Sequence, residues 1–235
     1  MIFRSSLAVF FIVFIASCSS HFNDSPPPKE FKNIALNHDL FDIEAKQEDM
    51  TEDIFYLTTE QKKEVLTQVN KRIALGRPKH VALSEALQSR LSSFTYYGET
   101  FKAEEGVRLN RGNCMSLAIL TGAFAEVIGL EYSFREINTL PIFDKQNNLI
   151  LSSSHVQSIL YDETFVPEEG LIYISKPSIV IDYFPDKNNL SGKKVSKSSL
   201  ISMYYKNLAA DALIENDLYK AFILAEKSYH YDKTN

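Results

Sequence analysis

The chain reads as an α+β protein in which helices come first and an antiparallel sheet follows. Between positions 58 and 129 the apolar residues recur at helical spacing, whereas from 132 onward they gather into short runs rich in β-branched and aromatic side chains. Runs of helices followed by runs of strands favour segregated layers over alternating βαβ units. With 45% apolar and 23% charged residues in 235, the chain suits one globular domain with a small helical addition.

The first helix announces its own start. Thr58-Thr59-Glu60-Gln61 is a capping box, and the helix it opens runs through Val65, Val69 and Ile73 before Gly76 and Pro78 stop it. A second helix spans 80–92, with Leu83, Leu87 and Leu91 on one face, and Tyr96-Tyr97-Gly98 breaks the pattern. In the third, Leu117, Leu120, Phe124 and Ile128 share a face while Ala118, Ala123 and Ala125 keep its other faces small. Such a helix is buried nearly all round, and Gly129 ends it. Strands are expected at 132–137, 155–161, 171–174 and 178–184.

Ahead of this domain, Arg4, the apolar run 7–15 and the small residues Ala16-Ser17 make a secretory signal too short to span a bilayer comfortably. Ile15-Ala16-Ser17-Cys18 resembles the bacterial lipobox. That resemblance implies removal of 1–17, acylation of Cys18 and a mature protein anchored to a membrane. Ser19 stands where aspartate often marks inner-membrane retention, so the expected address is the outer membrane, facing the periplasm. Residues 18–36 form a flexible tether, whose polar stretch from Ser19 ends in the proline run Pro26-Pro27-Pro28 and favours an extended chain. The acidic stretch that follows, to about Asp53, has no assignable structure.

Charge excludes one class of partner. The net charge is −5, and the four lysines between Lys187 and Lys197 surround Ser191-Gly192 as a solvated loop would, so no nucleic-acid partner is expected.

Two cysteines are present, and lipid attachment would consume Cys18. Cys114 is thereby left without a disulfide partner, in Arg-Gly-Asn-Cys-Met-Ser-Leu-Ala at 111–118, where a turn gives way to the apolar helix. At a helix start a cysteine meets unpaired amides and the positive end of the macrodipole, which favour thiolate. Nucleophilic catalysis also needs a base and a group that orients it. His155 opens one expected strand and Asp182 lies near the end of another, so both could meet Cys114 at the sheet's edge. Taken singly, each has a plainer explanation: a small core thiol, a polar strand start and a turn cap. Of the other histidines, His21 falls in the tether, His38 in the acidic lead-in, and His80 and His230 on helices without a companion at metal-ligand spacing. No metal site is expected.

Together these segments resemble the bacterial transglutaminase-like superfamily, whose fold is related to that of papain-like cysteine proteases. Residues 100–130 are similar to its nucleophile region, His155-Val156-Gln157 to its histidine strand, and Ile181-Asp182-Tyr183-Phe184-Pro185 to its aspartate strand, all in the family's order. Met203 to Leu213 is similar to the start of the tetratricopeptide repeats carried by one bacterial subgroup. Tyr205, Leu208, Ala209 and Ala212, a turn at Asn216-Asp217, then Ala221, Ala225, Ser228 and Asp232 fit one repeat. A lone hairpin must pack on the domain at 37–198 or receive a protein partner, and packing is favoured.

The resemblance implies a transglutaminase-like domain at 37–198 and a helical hairpin at 199–235. It implies Cys114 as nucleophile, His155 as general base and acid, and Asp182 as the orienting acid. Gln157 departs from the asparagine common at its position, and no upstream glutamine is recognisable as an oxyanion donor. The implied reaction is attack on an amide or ester carbonyl of a peptide or protein, through an acyl-enzyme resolved by water or by an amine. Neither outcome needs a cofactor. The competing readings are a catalytically silent scaffold that binds an envelope protein and a cell-wall endopeptidase of the other cysteine type.

Overall fold

The computed structural model describes residues 36–41, 53–96, 98–146, 149–183 and 192–233, all within the unit Ala35–Asn235. The signal segment, Cys18 and the tether through residue 35 lie outside the described residues, as do Tyr97, Phe184, Pro185 and Ser191. Among the described residues no helix is long and apolar enough to cross a membrane.

Helix α1 (Thr59–Ile73) begins on the expected box: Thr58 Oγ1 accepts the Gln61 N–H at 3.2 Å, and Gln61 Oε1 accepts the Thr58 N–H at 3.0 Å. Val65 and Val69 are its buried stripe. Helix α2 (Lys79–Leu91) follows Pro78, which brings no capping side chain. Glu163 supplies the cap from a distant loop: its carboxylate accepts the Lys79 and His80 N–H groups, and its Oε2 lies 2.9 Å from His80 Nδ1. Asp162 Oδ1 is 3.5 Å from the same nitrogen. His80 therefore does have acidic companions, brought by the fold where sequence spacing showed none, and the contacts they make tie the start of α2 to that loop.

Strands β1 (Thr95–Tyr96) and β2 (Arg111–Gly112) pair in parallel and bracket α3 (Ala103–Leu109). This helix was not expected. It is only seven residues long and is held by tertiary cover on Ala103, Gly106 and Val107 rather than by a sustained apolar period. Helix α4 (Cys114–Val127) is the centre of the core, every residue from Met115 to Ala125 being buried.

Beyond α4 the main sheet has the order β5-β4-β3-β6 and is antiparallel throughout: β3 (Tyr132–Gln146), β4 (Leu149–Tyr161), β5 (Ser178–Ile181) and β6 (Lys194–Val195). Strands β3 and β4 form one long hairpin, extending well past the expected 132–137 and 155–161, with a register irregularity between Ile137 and Ile142. His155 accordingly sits within β4 rather than at its start. The expected strand at 171–174 is absent. Leu171, Ile172 and Ile174 are exposed in a loop, because β5 takes the edge of β4 from the pair Tyr161↔Ser178 onward and leaves that segment nothing to pair with. The sheet packs under α4 closely enough that a Cβ on Gly122 would stand 2.8 Å from Phe55, 3.0 Å from Phe134 and 3.1 Å from Tyr132.

Helices α5 (Lys197–Ile214) and α6 (Leu218–Tyr231) form a hairpin that turns at Asn216, whose φ of 61° is left-handed, and Asp217, which caps Lys220 at 2.9 Å. Leu200, Met203, Tyr204 and Tyr205 of α5 enter the same core as α4 and β3. Small residues let the two helices close: Ser202 and Ser228 hydroxyls lie 2.9 Å apart, with Ala209, Ala212 and Ala221 buried. A short 3-10 turn (His38–Phe41) leans on α6, His38 Nε2 lying 2.8 Å from Glu226 Oε1 and its ring edge-on to Phe222.

Candidate active site

Cys114 occupies the first turn of α4, as expected, and the turn ahead of it is strapped from several sides. Asn113 caps the helix by accepting the Ser116 N–H at 3.0 Å, and its amide donates to Thr100 Oγ1 at 2.7 Å. Ser116 Oγ accepts the Phe101 N–H at 2.8 Å. Gly112 takes φ of 151°, and a Cβ there would fall 2.5 Å from Ser116 Cβ, so only glycine lets the chain enter the helix this tightly.

His155 and Gln157 lie two residues apart on β4, on one face of the sheet. Asp182 follows directly after β5 and meets both: His155 Nε2 is 2.7 Å from Oδ1, and Gln157 Nε2 donates to Oδ2 at 2.5 Å. Gln157 Oε1 in turn accepts from its cross-strand neighbour Arg135, at 2.7 Å from Nη2 and 3.2 Å from Nε. Pairing of β5 with β4 ends at Ser158↔Ile181, and beyond that point the Val156 N–H meets the Cys114 sulfur. The fold thus brings the His155–Asp182 pair and the thiol to one stretch of β4. Tyr183 anchors this end of the sheet beneath α4: its hydroxyl donates to the Leu117 carbonyl at 3.0 Å and touches Thr121 Oγ1 and Ser158 Oγ.

The electrostatics differ from the expectation for a helix start. Burial pushes the Cys114 thiol up. The amides of Val156, Met115 and Cys114 itself pull it back, and the Asp182 charge pushes the same way as burial. Desolvation therefore outweighs these amides, and the balance of the surroundings favours thiol over thiolate. Tyr96 borders the cluster. Desolvation raises its phenol most and the charges of Cys114, Tyr183 and Asp182 add to it, so a residue that looked like a helix breaker in sequence lies within electrostatic reach of the thiol. Pairing of Tyr96 with Gly112, two residues before Cys114, accounts for that placement.

Arg135 and Tyr96 were not foreseen as site residues. The available signal for Arg135 was a single cation within the expected strand 132–137, and its partner could be named only once the β3–β4 register was known.

No protein-family model matches the chain, and no curated protein matches its sequence. The fold is similar to a solved structure described as a "putative cysteine protease" from Cytophaga hutchinsonii, at 12% identity and a TM-score of 0.39, covering 60% of this chain. The match spans 45% of that protein's length. At that TM-score the likeness assigns neither a family nor a chemistry.

Proposed function

We propose that the chain is a papain-like, transglutaminase-like cysteine enzyme that acts on an amide or ester carbonyl through an acyl-enzyme. The observation that carries the reading is the His155–Asp182 contact of 2.7 Å on the strand whose next amide, that of Val156, meets the Cys114 sulfur. Groups of the three required types come from different elements, which supports the reading because roles and geometry define such a site better than any one residue.

In the proposed mechanism His155 uses Nε2 to face Asp182, which assigns the base to Nδ1. As the Cys114 sulfur adds to the carbonyl carbon, its proton passes to Nδ1 and the carbonyl electrons move to oxygen. The Cys114 N–H, at the first position of α4, is one donor to that oxygen. Collapse breaks the bond to the leaving amine or alcohol, which takes the proton back from the imidazolium and leaves a thioester on Cys114. Water or a second amine then adds by the same proton traffic, giving a peptidase or amidase in the first case and a transferase in the second. Thiol, imidazole, leaving group and acceptor account for every proton in these steps, and Asp182 orients the imidazolium without taking one.

A lipid on Cys18 would hold this site at the envelope, on the periplasmic side of the outer membrane, within reach of peptide or protein substrates. The α5–α6 hairpin offers a surface to a protein partner, with Leu213, Leu218 and Tyr219 exposed on it.

An activated ester tests the enzymatic reading without knowledge of the natural substrate. With 4-nitrophenyl acetate, a burst of 4-nitrophenolate equal to the enzyme present is expected, followed by slower turnover, and Cys114→Ala should abolish the burst. Release that is linear from the start and unchanged in Cys114→Ala would favour the silent scaffold.

A further inference from the structure

Resting on the enzymatic reading above, we infer that Gln157 and Arg135 are positioning residues: Arg135 fixes the orientation of the Gln157 amide, and that amide locks Asp182 so that its other oxygen faces His155. An arginine carries five donors and no acceptor, so the atom it meets on Gln157 must be the carbonyl oxygen. That forces Nε2 toward Asp182, where it donates at 2.5 Å. The two Asp182 oxygens are thereby distinguished, Oδ2 going to the amide and Oδ1 to the imidazole. Gln157 is 5% exposed, so a misoriented amide would set its own oxygen against a carboxylate with little water to separate them.

Register makes the chain of contacts rigid. Arg135 and Gln157 are direct cross-strand partners on β3 and β4, and Gln157 is two residues from His155 on the same face. The charged and titratable groups that face Asp182 come from every neighbouring element: Tyr96 from β1, Cys114 from α4, Arg135 from β3 by way of Gln157, His155 from β4 and Tyr183 beyond β5. Arg135 is the fixed cation in this set. Its charge reaches the carboxylate through an amide, so Asp182 stays available to the imidazole.

Two substitutions separate this role from simple packing. Gln157→Glu keeps the shape but donates to Asp182 only while protonated. The ratio of its acylation rate to that of wild type, read from the 4-nitrophenolate burst, is expected to fall as pH rises through the titration of the pair formed by the introduced carboxyl and Asp182. Gln157→Leu cannot donate at any pH and should lower the rate roughly 10- to 100-fold throughout, the worth of a hydrogen bond to a charged group. If the leucine variant does not fold, the near-isosteric glutamate variant still decides the question. A ratio for Gln157→Glu that is flat with pH, or a leucine variant as fast as wild type, overturns the inference while the burst itself stands. A wild-type protein with no burst removes the enzymatic reading and the inference with it.

Discussion

Replacing His155 by alanine is expected to slow acylation of Cys114 by about 10²- to 10⁴-fold, the usual contribution of a positioned general base. The size follows from the state of the thiol. Burial and the Asp182 charge both push the Cys114 thiol up, against the pull of the nearby amides, so attack by sulfur gains from a base that takes its proton. Asp182→Asn should be nearly as damaging, for a reason specific to this network. The Gln157 N–H must meet the asparagine oxygen, which turns the asparagine NH₂ toward His155 Nε2. The imidazole would then carry its proton on Nδ1, the position that has to accept one. Stopped-flow release of 4-nitrophenolate measures both variants. Rates equal to wild type would mean that the imidazole takes no part in the attack.

The largest structural effect is expected at Phe134. Its ring is 1% exposed, edge-on to Tyr132 at 5.4 Å between centroids and tilted to Phe55 at 6.3 Å, directly beneath Gly122 of α4. Phe134→Ala should destabilise the fold by about 3–5 kcal/mol, through lost transfer energy and the cavity left between α4 and β3. Against the roughly 5–15 kcal/mol by which domains are stable, that is a large share. Urea unfolding of the two proteins reads the difference directly. A loss below about 1 kcal/mol would mean that α4 does not rest on the sheet through this ring.

What the sequence made legible is local in origin. The Thr58 box, the apolar faces of α1, α2 and α4, and the stop at Gly129 depend on residues within a few positions of one another, and all appear where spacing put them. The run 171–174 has strand composition but no strand, since pairing depends on which edge is vacant, and β5 had filled it. Helix α3 went unseen for the converse reason: neighbours cover its Ala103, Gly106 and Val107, and no period of its own reveals it. At the candidate site, the helix start at Cys114 and the strand residues His155 and Asp182 could be named from residue type and order. Arg135 could not be joined to Gln157 without the hairpin register. The environment of the thiol was also a tertiary matter, because a helix start is visible in sequence and the burial that pushes the thiol up is not.

The site stands or falls on where an acyl group lands. Wild-type protein mixed with 4-nitrophenyl acetate, quenched in acid within the burst and digested, should yield one acylated peptide, carrying a thioester at Cys114. The same peptide from His155→Ala should be almost unlabelled at that time. Acetyl groups spread over surface lysines with Cys114 unmodified, or a Cys114 thioester forming at the same rate without His155, would contradict a reactive cluster of Cys114, His155 and Asp182.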